Sequence, residues 1–118
     1  MKNIEFVDYI KRQLLQSSIK AVKSNITSPT GRQPHPKYIA MSTWYNNKNE
    51  NDKEHVDLII KEAVETTLFG FLTVLDNMAA IGKKYQDGKF ELKFNQNNSS
   101  ELINDPNEEF LHDLFNEE

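Results

Sequence analysis

Cysteine is absent from these 118 residues, which removes disulfides, zinc–thiolate sites and thiol catalysis together. Glycine and proline number four each. Three of the prolines, Pro29, Pro34 and Pro36, fall close together, so the rest of the chain is free to build long regular elements. Tryptophan occurs once, at Trp44. No apolar run reaches the roughly 20 residues of a transmembrane helix, because the most apolar region is interrupted by Glu65, Gly70 and Asp76. HExxH, the Walker loop, GxSxG and the dinucleotide fingerprint are all missing, which leaves no motif for the common hydrolases and nucleotide enzymes. The opening MKNIEFVDYIKRQ carries charges where a signal peptide needs an apolar core, which predicts a cytoplasmic protein. A chain this long reads as one domain over residues 1–118, able to bury a core without staples.

Charge of one sign is scarce wherever the other is concentrated. The net charge is −4, yet residues 1–48 have a balance of +6 and residues 49–118 a balance of −10. From Glu101 to the end there are seven acids and no Lys or Arg. Such polarity steers a basic partner to the acidic end, or sets two copies head to tail, unless it is only a solvated surface. The basic residues of the N-terminal third lack aromatic interleaving and a recognition-helix pattern, which argues against nucleic-acid binding.

What is present is helical periodicity. From Asp52 to Ile81 the apolar residues Val56, Ile59, Ile60, Ala63, Val64, Leu68, Phe71, Leu72, Leu75, Met78 and Ile81 recur at steps of three and four. This predicts a core helix capped by Asn51 with Glu54, stopped by Gly82, and buried nearly all round from Ala63 onward. Its length of about 45 Å exceeds the roughly 35 Å diameter of a compact domain of this size. A break or bend at Gly70, or cover from a second copy, would resolve that. The rival reading makes Leu68–Leu75 a buried strand.

Residues 3–23 read as an amphipathic helix, and Ser24–Pro36 as a stiff loop. Lys37–Asn47 reads as a short helix landing Tyr38, Ile39, Met41, Trp44 and Tyr45 on the core. Phe90, Leu92 and Phe94 alternate with Glu91 and Lys93 as one strand, Asn95–Ser100 turns, and Glu101–Asn104 pairs with it. Asp105 and Pro106 open a last helix with Phe110, Leu111, Leu114 and Phe115 on its apolar face. The fold class is therefore α+β and mainly α: a long central helix, an N-terminal helix, a short Trp-bearing helix, a β-hairpin and a C-terminal helix.

Asp76 is the most informative residue. It lies among Leu72, Val74, Leu75, Met78 and Ala79, where an unpaired carboxylate is costly. Arg32 or His35 from the stiff loop is its expected partner, either as an ion pair that locks the loop or as part of a pocket with Tyr38 and Trp44. Glu109-x-x-His112 has the spacing of carboxylate-bridged metal bundles, but those need two such pairs and further glutamates. No metal or cofactor is expected. Trp44 and Tyr45 suit an interface as well as a core.

The blocks GRQPHPKYIAMSTWYNN, LFGFLTVLDN and LINDPNEEFLHDLFN cover roughly Gly31–Asn47, Leu68–Asn77 and Leu102–Asn116. In them the chain resembles a group of small, single-domain bacterial proteins. The resemblance implies no activity, so no catalytic residue is carried over. By analogy of class, small acidic cysteine-free proteins of this kind are often immunity proteins that neutralise a toxin. The expectation is a non-enzymatic binding protein whose acidic face engages a basic protein. That face comprises Glu108, Glu109, His112 and Asp113 of the last helix with the start of the core helix. The alternatives are a small enzyme or ligand-binding domain around Arg32, His35, Tyr38, Trp44 and Asp76, and a homodimeric structural module with Trp44 at its interface.

Overall fold

Local side-chain caps set where two of the helices of this chain begin. A computed structural model describes residues 1–117. Helix α1 (Asn3–Tyr9) passes through a π-helical segment (Ile10–Leu14) into α2 (Leu15–Thr27), so the first helical stretch runs one turn beyond the predicted residue 23. Helix α3 (Pro36–Asn46) begins with proline at its first position. His35 is its N-cap, the ring Nδ1 accepting the amide of Lys37 at 3.1 Å. Helix α4 (Glu50–Leu75) runs without a break through Gly70. The strand reading of Leu68–Leu75 therefore does not hold. Asn49, not Asn51, caps its start, Oδ1 accepting the amide of Asp52 at 2.8 Å.

The end of α4 comes earlier than the apolar pattern predicted. Asn77 takes a left-handed conformation at φ 61°. Its amide bonds to the Val74 carbonyl at 3.0 Å, and that of Met78 to Thr73 at 3.1 Å. This pair of bonds is a Schellman closure, with Asp76 as C-cap and Asn77 just beyond it. Gly82 lies outside the helix and instead precedes a 3₁₀ turn at Lys83–Tyr85. The all-round burial predicted from Ala63 onward is also overturned. Leu72 is the buried residue of α4, while Phe71, in the same stretch, is 58% exposed. A chain this short has too few elements to cover every side of a 26-residue helix.

Strands β1 (Lys93–Gln96) and β2 (Ser99–Leu102) pair antiparallel, with Gln96 opposite Ser99. Only Asn97 and Asn98 lie between them, both at positive φ, as a two-residue type I′ turn requires. The hairpin is thus tighter than predicted. Helix α5 (Leu111–Asn116) starts six residues after Asp105. Asp105 caps a turn instead, accepting the amide of Asn107 at 2.9 Å.

The chain gathers into two compact units. One, the terminal unit, comprises Met1–Leu14 and the chain from Thr66 onward; the other, the middle unit, is Leu15–Glu65. In the terminal unit α1 packs on α5. Its core is Val7, Leu72, Ile103, Leu111 and Leu114, with Leu92 and Phe94 of the hairpin region against them. In the middle unit α2 packs on α3, with Leu15, Ile26 and Tyr45 buried. Ser42 and Asn46 of α3 donate to the carbonyl of Thr27 at the end of α2, at 3.3 and 3.0 Å. Side chains of one helix thereby satisfy the open end of the other. Among the described residues no helix is long and apolar enough to cross a membrane.

Candidate functional site

Three arrangements carry chemistry, two in the terminal unit and one in the middle unit. The first centres on Asp76, which is 7% exposed. Burial there was expected, but its partner is neither Arg32 nor His35. Oδ1 accepts the amide of Leu111 at 3.0 Å, and Oδ2 accepts the amide of His112 at 2.9 Å and its Nδ1–H at 2.6 Å. Leu111 and His112 are the first residues of α5, and Phe110, its N-cap, offers no side-chain bond. Asp76 therefore supplies from the end of α4 the cap that the local sequence lacks, and three donors compensate its burial.

The ring of His112 lies parallel to Phe110 at 5.5 Å and edge-on to Phe69 at 5.7 Å. Its Nε2 is 3.5 Å from Oδ1 of Asp113. His112 thus joins a buried carboxylate to an exposed one. Its Nδ1 is committed to Asp76, and among the described residues no group of three His, Asp or Glu side chains is placed to hold a metal ion.

The second arrangement is the acidic surface of α5 and its approach. Glu108, Glu109, Asp113 and Glu117 are all exposed. Desolvation raises the Glu109 carboxyl above its ordinary value, and the charges of Glu117 and Asp113 and a side-chain bond to Glu117 push the same way. Glu109 is open to solvent, so that desolvation is local crowding by neighbouring atoms and not burial in the core. Three carboxyl groups held this close favour a proton, or a cation, among them. The surface is anchored on α1: Asn3 donates its side-chain amide to the Glu109 carbonyl at 3.0 Å, and the Lys11 ammonium donates to the carbonyl of Glu117.

The third is a groove of about 420 Å³ in the middle unit, walled by Val22, Ile26, Met41, Trp44, Val56 and Ile60. Its lining is almost entirely carbon. Trp44 is 54% exposed and Met41 40%, so the predicted landing of α3 on the core holds only for Tyr45. Tyr45 lies at the groove wall, its hydroxyl donating to Asp57 at 3.1 Å and accepting from the Lys23 ammonium at 2.9 Å. Lys23 and Asp57 are also paired directly at 2.5 Å. Burial lowers the pKa of Lys23, but the bonds and charges of Asp57 and Tyr45 outweigh it and leave the ammonium above its ordinary value.

The candidate residues therefore fall into separate groups. Asp76, Glu109, His112 and Asp113 meet in the terminal unit, with Glu108 on the turn before α5. Trp44 and Tyr45 share the groove. His35 meets Tyr38 edge-on at 6.3 Å, and its ring serves as the α3 cap, while Arg32 is exposed. Sequence reasoning missed Lys23 and Asp57, which lie on different helices, and also Asn104. The Asn104 side chain donates to the carbonyls of Leu75 and Phe90 and accepts the amide of Leu92 at 2.8 Å. An asparagine directly after the apolar pair Leu102-Ile103 was the one available hint of a buried polar tie. No family of proteins, no curated protein and no solved structure matches the chain.

Proposed function

We propose that this chain is a non-enzymatic binding protein that docks a basic protein on the acidic surface of α5. It acts as an immunity protein acts on a toxin, by steric and electrostatic occlusion. The observation that carries this reading is the exposed set Glu108, Glu109, Asp113 and Glu117, where desolvation first, and then the charges of Glu117 and Asp113, hold the Glu109 carboxyl above its ordinary value. Lysines or arginines of a partner relieve that repulsion, so the surface gains from binding what it loses when bare. The absence of Lys and Arg from residue 101 onward leaves no competing cation in that segment. Steering by the acidic end speeds the encounter and makes it sensitive to salt.

The test is capture from the native host with the wild-type chain and with a Glu109→Lys, Asp113→Lys, Glu117→Lys variant. Recovery of a basic protein that is lost with the variant, and lost at about 0.5 M salt, supports the reading. Identical captured sets for both chains, or recovery of the chain alone, overturn it. The groove bordered by Trp44 favours a second, ligand-binding role in the middle unit.

A further inference from the structure

The groove is lined by carbon, and two of its wall residues, Trp44 and Tyr45, each have a lysine ammonium against the ring. Its walls contain no acidic side chain. The Lys48 ammonium sits 4.5 Å from the centre of the Trp44 ring, and that of Lys53 sits 5.6 Å from the ring of Tyr45. Among the described residues no carboxylate lies within ion-pair distance of Lys48. Lys53 has only the distant oxygen of Glu50 at 3.8 Å, on a side chain that is 91% exposed. The other nearby acid, Asp57, is already neutralised by Lys23. The result is a carbon-lined slot in which Trp44 has an unpaired ammonium against its ring and Tyr45 a weakly paired one. A volume of about 420 Å³ lies within the roughly 300–1,000 Å³ of small-molecule sites.

We propose that this groove binds a free long-chain carboxylate, a fatty-acid-like amphiphile. Its alkyl chain lies between Val22, Ile26, Met41 and Ile60, and its carboxylate is held by Lys48 beside Trp44. Each part answers a feature of the site. The chain removes apolar wall from water, and the carboxylate supplies the counter-charge that Lys48 lacks. A flexible single chain suits an open groove better than a rigid ring system, because the walls come from three helices and leave one side to solvent. This site is independent of the acidic surface of α5, and either assignment stands if the other fails.

Trp44 is the only tryptophan, so its fluorescence reports on the groove alone. The chain is titrated with dodecanoate below the concentration at which it forms micelles, and in parallel with dodecanol, dodecylamine and anionic phospholipid vesicles. The expected result is a saturable blue shift with dodecanoate, at a concentration about tenfold lower than with dodecanol, the effect of one good ionic contact. Lys48→Glu and the milder Lys48→Gln abolish that preference while dodecanol binding and the helical circular dichroism stay unchanged. If Lys48→Glu does not fold, the Lys48→Gln variant and the comparison of headgroups on the wild-type chain decide the matter. The absence of a saturable shift with dodecanoate overturns the proposal. So does dodecylamine binding as well as dodecanoate, or a shift with vesicles alone. Light scattering that finds a dimer with Trp44 emission already blue-shifted overturns it too, because a second copy then fills the groove.

Discussion

The carboxylate of Asp76 lies 2.6 Å from Nδ1 of His112, and its two oxygens also receive the first two amides of α5. One side chain at the end of α4 thereby sets where α5 begins and which way it carries Asp113, with Glu109 just before the helix and Glu117 just after it. The acidic surface depends on this clamp although Asp76 is not part of the surface.

Removing the clamp is the first prediction. Asp76→Asn keeps the shape, but its amide opposes one of the two backbone N–H groups and the charge is gone. The unfolding free energy should fall by about 2 kcal/mol. Asp76→Ala leaves two buried amides and an imidazole N–H without an acceptor and should cost about 3 kcal/mol or more. Urea denaturation followed by circular dichroism checks both. A loss below the error of the measurement for Asp76→Ala would show that water or another group satisfies these donors.

Asn77 gives a prediction of unusual sign. Glycine is normally the better residue at a left-handed position after a helix. Here the Asn77 side chain also accepts the Phe90 amide at 2.7 Å and donates to the Phe90 carbonyl at 3.1 Å. Asn77→Gly should therefore destabilise by about 1 kcal/mol, because two hydrogen bonds outweigh the relief of backbone strain. Asn77→Ala, which has neither advantage, should cost more than Asn77→Gly. A stabilised Asn77→Gly protein in denaturant titration would contradict the account.

These two residues also mark how far the sequence could be read. The stripe that runs to Ile81 predicted a helix, and up to Leu75 it was right. Periodicity could not show the stop at Asn77, since Ala79, Ala80 and Ile81 continue the pattern. The left-handed turn is fixed by bonds to Phe90, thirteen residues away. Asp76 illustrates the same division. Its apolar neighbours announced that it would be buried and need donors, while the donors themselves lie 35 and 36 residues further on. The stiff loop around Arg32 and His35 supplied a plausible partner from charge alone, and charge carries no position. Exposure was the other blind spot. Apolar spacing says which residues share a face, but nothing in it says whether enough chain exists to cover Phe71, Leu58 or Trp44.

Lys23 supplies a pH dependence. Its ammonium is held above its ordinary value of 10.5 in the folded chain, so the folded state binds this proton more tightly than the unfolded state. The stability this contributes is complete below pH about 10.5 and is lost as pH rises through the folded value. The stability difference between wild type and Lys23→Met should accordingly be constant from pH 7 to about 10 and shrink above it. Denaturation midpoints measured across that range test this. A difference that grows at high pH would assign Lys23 the opposite role.

Glu109 acts in the reverse direction. Its carboxyl is raised above its ordinary value of 4.5, so ionising it works against the folded state. The cost is absent well below pH about 4.5, appears as pH rises through the folded value, and is complete at neutrality. Glu109→Gln should thus be more stable than wild type at pH 7, with the two converging near pH 3 to 4. Thermal melts at a series of pH values read this directly. A variant less stable than wild type at pH 7 would mean that Glu109 holds a favourable contact and not a repulsive one.

The most direct measurement is amide hydrogen exchange at Leu111 and His112 in the wild-type chain and in Asp76→Asn. These are the first amides of α5, which in an uncapped six-residue helix exchange freely with solvent. The clamp predicts that both are strongly protected in the wild type, and that the variant loses protection at these two positions before the core residue Leu72 is affected. Free exchange at Leu111 and His112 in the wild type would contradict it, and with it the placing of Glu109, Asp113 and Glu117 on one surface.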